Sequence, residues 1–220
     1  MFWDWAFAGE ILPMLARASL VTLEATIFGF AIAAVLGLAF AIGRMYGPPW
    51  LSVPLVGLIE FIRSTPLLIQ IFFIYFVFPE FGLVLEAMTA GVLALGVHYA
   101  TYASEVYRAG LANIQRGQWE ASIALNLTPY HTFRDVIIPQ AIPPVVPALG
   151  NYLVALFKDT PLLSAIGVLE LMQTAKIIGS DTFRYVEPIT MVGAIFLIFS
   201  LIAAGLIRIV EFRLNRRIVH

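Results

Sequence analysis

The chain alternates long apolar windows with shorter polar stretches, and the windows fall at about residues 18–43, 53–78, 86–109, 136–157 and 185–208. A hydrocarbon core about 30 Å thick needs about 20 apolar residues per helix, so each window predicts a membrane-spanning helix. Pro139, Pro143, Pro144 and Pro147 crowd the first half of the fourth window. They predict an irregular or kinked beginning, tolerable at membrane depth only where protein or a wet cavity satisfies the freed carbonyls. Ala25, Gly29, Ala33, Gly37 and Ala41 recur every four residues along the first window, and Gly96, Ala100 and Ser104 repeat the device in the third. Stripes of small residues let helix backbones approach closely where lipid offers no hydrophobic drive. The pattern predicts an all-α membrane protein of five transmembrane helices. With no internal repeat and no low-complexity linker, residues 1–220 are read as a single domain.

Composition agrees with this picture. Apolar residues make up 60% of the 220 positions and charged residues 12%, with a mean hydropathy of +0.90, far from the soluble balance of roughly half apolar and about a quarter charged. There is no cysteine, which removes disulfides and thiolate metal sites from consideration. A net charge of -1 points away from nucleic acid as a partner. The opening MFWDWAFAGEIL has acids ahead of its first base and lacks a positive n-region, so the first span is expected to be retained. Arg44, Arg108, Arg116, Arg134, Arg208, Arg213, Arg216 and Arg217 fall on one side of the predicted spans, while Arg17, Lys158, Lys176 and Arg184 fall on the other. Because cytoplasmic segments retain the basic excess, the N-terminus is expected outside and the C-terminus inside.

That orientation puts QWEASIALNLTPYHTFRDVIIPQAIP, residues 118–143, at the cytoplasmic face. From Gly117 the 3.6-residue period sets Trp119, Ile123 and Leu127 on one helix face, with Glu120 beside them. Thr128 followed by Pro129 is a start signal for a second helix, an N-cap and a proline whose missing N–H costs nothing at the first helical position. Between them Asn126 suits the left-handed conformation that ends a helix. Two short helices meeting near Asn126 are therefore predicted. An amphipathic helix lying on headgroups is one use for such a stretch. A protein partner with a pocket for Trp119 and a base for Glu120 is the other, favoured because the segment carries acids and little lysine.

These residues resemble the EAA loop of bacterial ATP-binding-cassette importer permeases, whose pattern is Glu-Ala-Ala, three residues, Gly, nine residues, Ile, any residue, Leu-Pro. Glu120, Ala121, Ser122, Asn126, Val136, Ile138 and Pro139 occupy the matching positions with the spacing kept. FIRSTPLLIQIFFIYF at 61–76, YASEVYRAGLANIQRGQWEAS at 102–122 and LFKDTPLLSAIGVLELM at 156–172 are similar to segments of the polar amino acid (histidine, glutamine, arginine) branch. The resemblance implies a MetI-like permease bundle in the bacterial inner membrane. It implies a second permease, identical or a sister chain, a pair of ATPase subunits on the cytoplasmic face that bind ATP and magnesium, and a periplasmic or lipid-anchored solute-binding protein. No cofactor is implied in this chain. The coupling loop would be about 115–135, with Gly117, Trp119, Glu120, Ala121, Ser122, Ile123, Asn126 and Pro139 as its coupling residues. Trp119 and Ile123 would anchor in the ATPase, and Glu120 would pair with a base at its rim. The cargo implied is a polar amino acid or a related zwitterion or compatible solute such as ectoine.

Several polar residues lie inside the windows. Glu60 and Arg63 are three apart and can neutralise each other, either lining a pathway or fixing packing. Glu105 and Arg108 form a similar pair, Glu24 is expected to reach the outer interface, and His98 to be a hydrogen-bonded packing residue. Gln70 and Asn151 are the uncharged groups best placed to meet substrate, with interhelical hydrogen bonding as the commoner use. Residues 158–184 are too interrupted for a span and predict a short external or re-entrant helix. The absence of HExxH and of G-x-x-x-x-G-K-[ST] excludes a zinc hydrolase and a P-loop ATPase in this chain. An ion-gradient-coupled secondary transporter is the remaining alternative, although more spans and an internal repeat would be its usual form.

Overall fold

The computed structural model describes residues 3–216, which are predominantly helical and contain no strand. The first helix, α1, runs Trp5–Tyr46, far longer than the 18–43 window. At 1.5 Å per residue its 42 residues extend about 63 Å, twice a hydrocarbon core. Its early start comes from Asp4, whose carboxylate accepts from the Ala6 and Phe7 N–H groups at 2.9 and 3.2 Å. This N-cap precedes a stretch whose acids, Pro13 and Arg17 lower its hydropathy without breaking the helix.

The second window is not one straight span. It divides into α2, Pro49–Ser64, and α3, Leu67–Phe72, which continues through π-helical and 3-10 turns to Phe81. The two halves meet at 106°. Pro66 is the cause: it pushes the residue before it out of helical geometry, and Thr65 is extended at φ -103°, ψ 140°. The break is pinned by Gln70, whose amide nitrogen donates to the Ile62 carbonyl at 2.7 Å and to the Thr65 carbonyl and hydroxyl at 3.1 and 2.7 Å.

Helix α4, Ala87–Ala112, is the third span and lies against α1 along the two small-residue stripes. Ala25, Gly29, Ala33, Gly37 and Ala41 are all buried, as are Gly96, Ala100 and Ser104. A Cβ on Gly37 would come within 2.6 Å of the Ala103 Cβ and 2.8 Å of the Ala100 carbonyl oxygen, and one on Gly96 within 2.6 Å of Ile32. The helix is less apolar than the other spans because protein rather than lipid surrounds much of it.

Helix α5, Arg116–Ala124, and the short turn α6, Pro129–His131, follow. A π-helical segment, Thr132–Ile137, leads from α6 into α7, Ile138–Asp159. The irregular beginning expected for the fourth span is this π-helical segment. The prolines then sit inside continuous helix, a correction to the expected kink. Pro139 follows directly on the π-helical segment, and the Gln140 side-chain amide donates to the Val136 carbonyl at 2.8 Å.

The 158–184 region forms a 3-10 turn, Thr160–Ile166, and the short helix α8, Leu171–Thr182. Glu170 caps α8 through both oxygens, accepting from the Met172 and Gln173 N–H groups at 2.9 and 2.7 Å. It is fully buried, and that burial pushes its carboxyl above the ordinary range. Helix α9, Val186–Arg216, is the last span. Arg184 ties the starts of α1 and α9 together, donating to Asp4 at 3.1 Å and to Glu187, with its guanidinium over the Phe7 ring at 4.3 Å. Of the basic residues counted toward orientation, Arg217 lies outside the described residues.

Three helical runs, Trp5–Tyr46, Pro129–Ile166 and Val186–Leu214, are long and apolar enough to cross a membrane, and the bent pair α2–α3 makes a fourth if it crosses as one. The 26-residue α4 is about 39 Å long and reaches across by length. The arrangement is compatible with five spans, one of them broken.

Candidate coupling site

Helix α5 is held by its own ends. Asn126 adopts the left-handed conformation at φ 53°, as predicted for it. Its N–H donates to the Ile123 carbonyl at 2.9 Å, and the Leu127 N–H reaches back to the Ser122 carbonyl at 3.0 Å. This pair of bonds is a Schellman close with asparagine in the glycine position. Thr128 then caps the next turn, its hydroxyl accepting from the His131 N–H at 3.4 Å. The two short helices expected around Asn126 are therefore present, although the second is a single turn that passes into the π-helical segment.

The inner side of α5 is fixed to the bundle. Ser122 is buried on this side, its hydroxyl turned back within the helix to donate to the Gln118 carbonyl at 2.8 Å. Trp119 meets Phe133 edge-on at 5.4 Å, and Phe133 meets Tyr46 at the end of α1 at 6.1 Å. Gln140 donates to the Gln118 side chain at 3.2 Å. Phe133 and Gln140 were not among the residues singled out in the sequence, because both partners come from beyond the turn. Trp119 was expected on the partner-facing side with Ile123, whereas here its ring is half-buried against its own chain.

The outer side is uncovered. Ile123 is 74% exposed and Leu125 72%, while Gly117, Ala121 and Pro139 are also exposed. Glu120 is exposed and pairs with Arg116 at 3.2 Å. The base it finds is one turn away in its own helix rather than one supplied from outside. An exposed i,i+4 pair is worth about 0.3–0.5 kcal/mol, so Glu120 exchanges partners at small cost.

The pairs Glu60–Arg63 and Glu105–Arg108 are joined, with Arg44, into one network. Glu105 on α4 receives Arg44 from α1, Arg108 at 2.9 Å from its own helix and Arg63 from α2 at 3.8 Å. Arg63 also meets Glu60 at 3.3 Å and stacks over the Tyr102 ring at 5.2 Å. The network joins the C-terminal ends of three helices, α1, α2 and α4. His98 bonds the Gln70 carbonyl oxygen at 3.1 Å, so both side chains are engaged within the bundle. Asn151 stands exposed on α7, and Glu24 is exposed on α1.

Comparison with known proteins agrees with this geometry. Residues 33–216 match the family described as "Binding-protein-dependent transport system inner membrane component". A probable amino-acid ABC transporter permease protein, y4tG of Sinorhizobium fredii, is 50% identical over 97% of this chain and 93% of its own. The glutamine transport system permease protein GlnP of Escherichia coli is 34% identical over 98% of this chain and 99% of its own. Among solved structures, an amino acid ABC transporter crystallised with histidines superposes with a TM-score of 0.90 at 35% identity, covering 97% of this chain and 100% of that one. The chain belongs to the family of inner-membrane components of binding-protein-dependent transport systems, and it is a permease subunit of an ABC importer rather than an enzyme.

Proposed function

We propose that the chain is one of two permeases around a pathway that carries a polar amino acid, or a related small zwitterion, into the cytoplasm. A binding protein delivers the cargo from outside, and a pair of ATPase subunits, holding ATP and magnesium, closes beneath the permeases. The names of the relatives support an amino acid as the cargo, and the basic excess toward one face supports an outside N-terminus and a cytoplasmic C-terminus.

One observation carries the coupling assignment. Helix α5 is joined to the bundle on one side, through the Gln118–Gln140 hydrogen bond and the Trp119–Phe133 contact, and uncovered on the other at Ile123, Glu120 and Leu125. A short helix with a fixed back and a bare apolar front transmits displacement from whatever docks there to α7 and to the end of α1. Gly117, Ala121, Asn126 and Pro139 serve this part by shape: the first two leave the front open, Asn126 closes the helix, and Pro139 starts the span it moves. Glu60 and Arg63 are assigned to the inner network, and Gln70 to the break in the second span.

The test is the ATPase activity of the reconstituted complex, with and without loaded binding protein, in wild type and in Glu120→Lys. Stimulation in the wild type and its loss in the variant are the expected results. Equal stimulation in both would remove Glu120 from the coupling surface.

A further inference from the structure

A groove of about 330 Å³ lies between α1, α4 and the start of α7, lined by Leu38, Ile42 and Tyr46 of α1, Tyr107 of α4, Phe133, and Ile142 of α7. Leu38, Ile42 and Ile142 are exposed. Their helices belong to runs long and apolar enough to cross a membrane, Trp5–Tyr46 and Pro129–Ile166, so the groove opens toward hydrocarbon. A helix, about 10–12 Å across with its side chains, is too wide to enter it, whereas an acyl chain is not.

The end of the groove next to α5 is polar. Tyr46 meets Phe133 there at 6.1 Å, and Arg134, the next residue, lies over the Tyr130 ring at 5.9 Å. Tyr46, Tyr130 and Arg134 are exposed, and tyrosines at the end of a span mark headgroup depth. Among the described residues nothing hydrogen-bonds the hydroxyl of Tyr46, Tyr107 or Tyr130. The acid beside Arg134 is Asp135 at 3.7 Å, whose carboxylate lies closer to His131, at 3.0 Å. An apolar groove that ends at an arginine and free hydroxyls suits a molecule with a hydrocarbon chain and an anionic phosphate. The groove also touches the mount of α5, since Phe133 is the ring that Trp119 meets at 5.4 Å. A chain in the groove packs against the free side of that ring, and an empty groove forfeits those contacts.

We propose that the groove binds an anionic phospholipid, one acyl chain between α1 and α7 and the phosphate against Arg134 and the Tyr46 and Tyr130 hydroxyls, and that this lipid seats Phe133 behind α5. The proposal rests on the placement of α5 at the cytoplasmic face, where the leaflet carries the anionic lipids.

The test uses the complex of this chain with its partner permease and ATPase in phosphatidylcholine nanodiscs. The probe is phosphatidylglycerol with a photoactivatable diazirine in one chain, added as a minor component. Labelling within residues 38–46 and 138–145 is expected to saturate and to be competed by unlabelled phosphatidylglycerol but not by inorganic phosphate. Labelling of the exposed α9 face at Leu197 and Leu201 follows bulk lipid and is not competed. Arg134→Gln lowers labelling of the groove several-fold and leaves α9 unchanged, and Ile142→Trp, which fills the groove, removes it. Stimulation of the ATPase by loaded binding protein is expected to rise several-fold when phosphatidylglycerol is present, in the wild type and not in Arg134→Gln. The site is overturned if the groove is unlabelled in the assembled complex, as it would be beneath a second permease, or if its labelling is uncompeted or unchanged in Arg134→Gln. Equal stimulation with and without phosphatidylglycerol overturns the seating of Phe133. Should Ile142→Trp fail to assemble, Arg134→Gln decides. Labelling needs no contact between α5 and the ATPase, so failure of the coupling reading, seen in Glu120→Lys, is a separate result.

Discussion

The seam between α1 and α4 and the short helix α5 both depend on small residues, for opposite reasons. In the seam, Gly37 and Gly96 are places where another backbone or side chain occupies the space a Cβ would need. In α5, a Cβ on Gly117 would meet nothing within 4 Å. Smallness in the seam permits contact within the chain, whereas smallness on α5 leaves a surface free. The one region is complete as it stands, and the other is shaped for something that comes to it.

The strongest way to break this comparison is to add the same methyl group to both regions. Gly37→Ala forces the α1 and α4 backbones apart and is expected to destabilise the permease by about 1–3 kcal/mol, the usual cost of overpacking. Gly117→Ala should be neutral or slightly stabilising, by up to about 1 kcal/mol, since it adds helix preference and touches nothing. Thermal midpoints of the two purified variants decide the matter, and equal losses would erase the distinction.

A second test concerns the ion network below the seam. Arg44 is 14% exposed and its charge partner is Glu105. Glu105→Gln leaves that guanidinium without its carboxylate, at an expected cost of about 1–3 kcal/mol. In a double-mutant cycle with Arg44→Gln, a coupling energy near zero would show that the pair does not join α1 to α4.

The smallest effect is expected at the start of α1, which Asp4 caps. The Phe7 N–H and the Arg184 guanidinium hold its carboxyl below the ordinary value of 3.8. A carboxylate depressed in the folded state contributes stability above its unfolded value and loses it as the pH falls through the folded one. Wild type and Asp4→Asn should therefore differ slightly near neutral pH and converge below about pH 4. A difference that persists unchanged into acid would mean that the charge is not what matters.

Much of this was legible locally. Asn126 in the left-handed region, the Thr128 cap and both small-residue stripes were read from the residues themselves, because each depends on neighbours one turn away. The bend at Thr65 was local too, since Thr65-Pro66 carries the signal, but a hydropathy window averages over a break only a few residues long. The first helix began earlier than its window because Asp4 caps a stretch whose charges dilute its apolarity. Other features were beyond local reading. Arg44 and Glu105 lie 61 residues apart, and nothing near either names the other. Trp119 looked partner-facing by period, and only the folding back of Phe133 turned it inward.

The central claim is that the uncovered front of α5 is where an ATPase docks. The chain has no cysteine, so Ile123→Cys introduces a single reactive thiol without further engineering. In membranes containing the whole complex, a thiol-to-amine cross-linker of about 10 Å reach is expected to join Cys-substituted position 123 to the ATPase subunit, with a yield that changes when ATP is added. A thiol that is freely labelled by a water-soluble maleimide in the assembled complex, and never cross-links to the ATPase, would contradict the account.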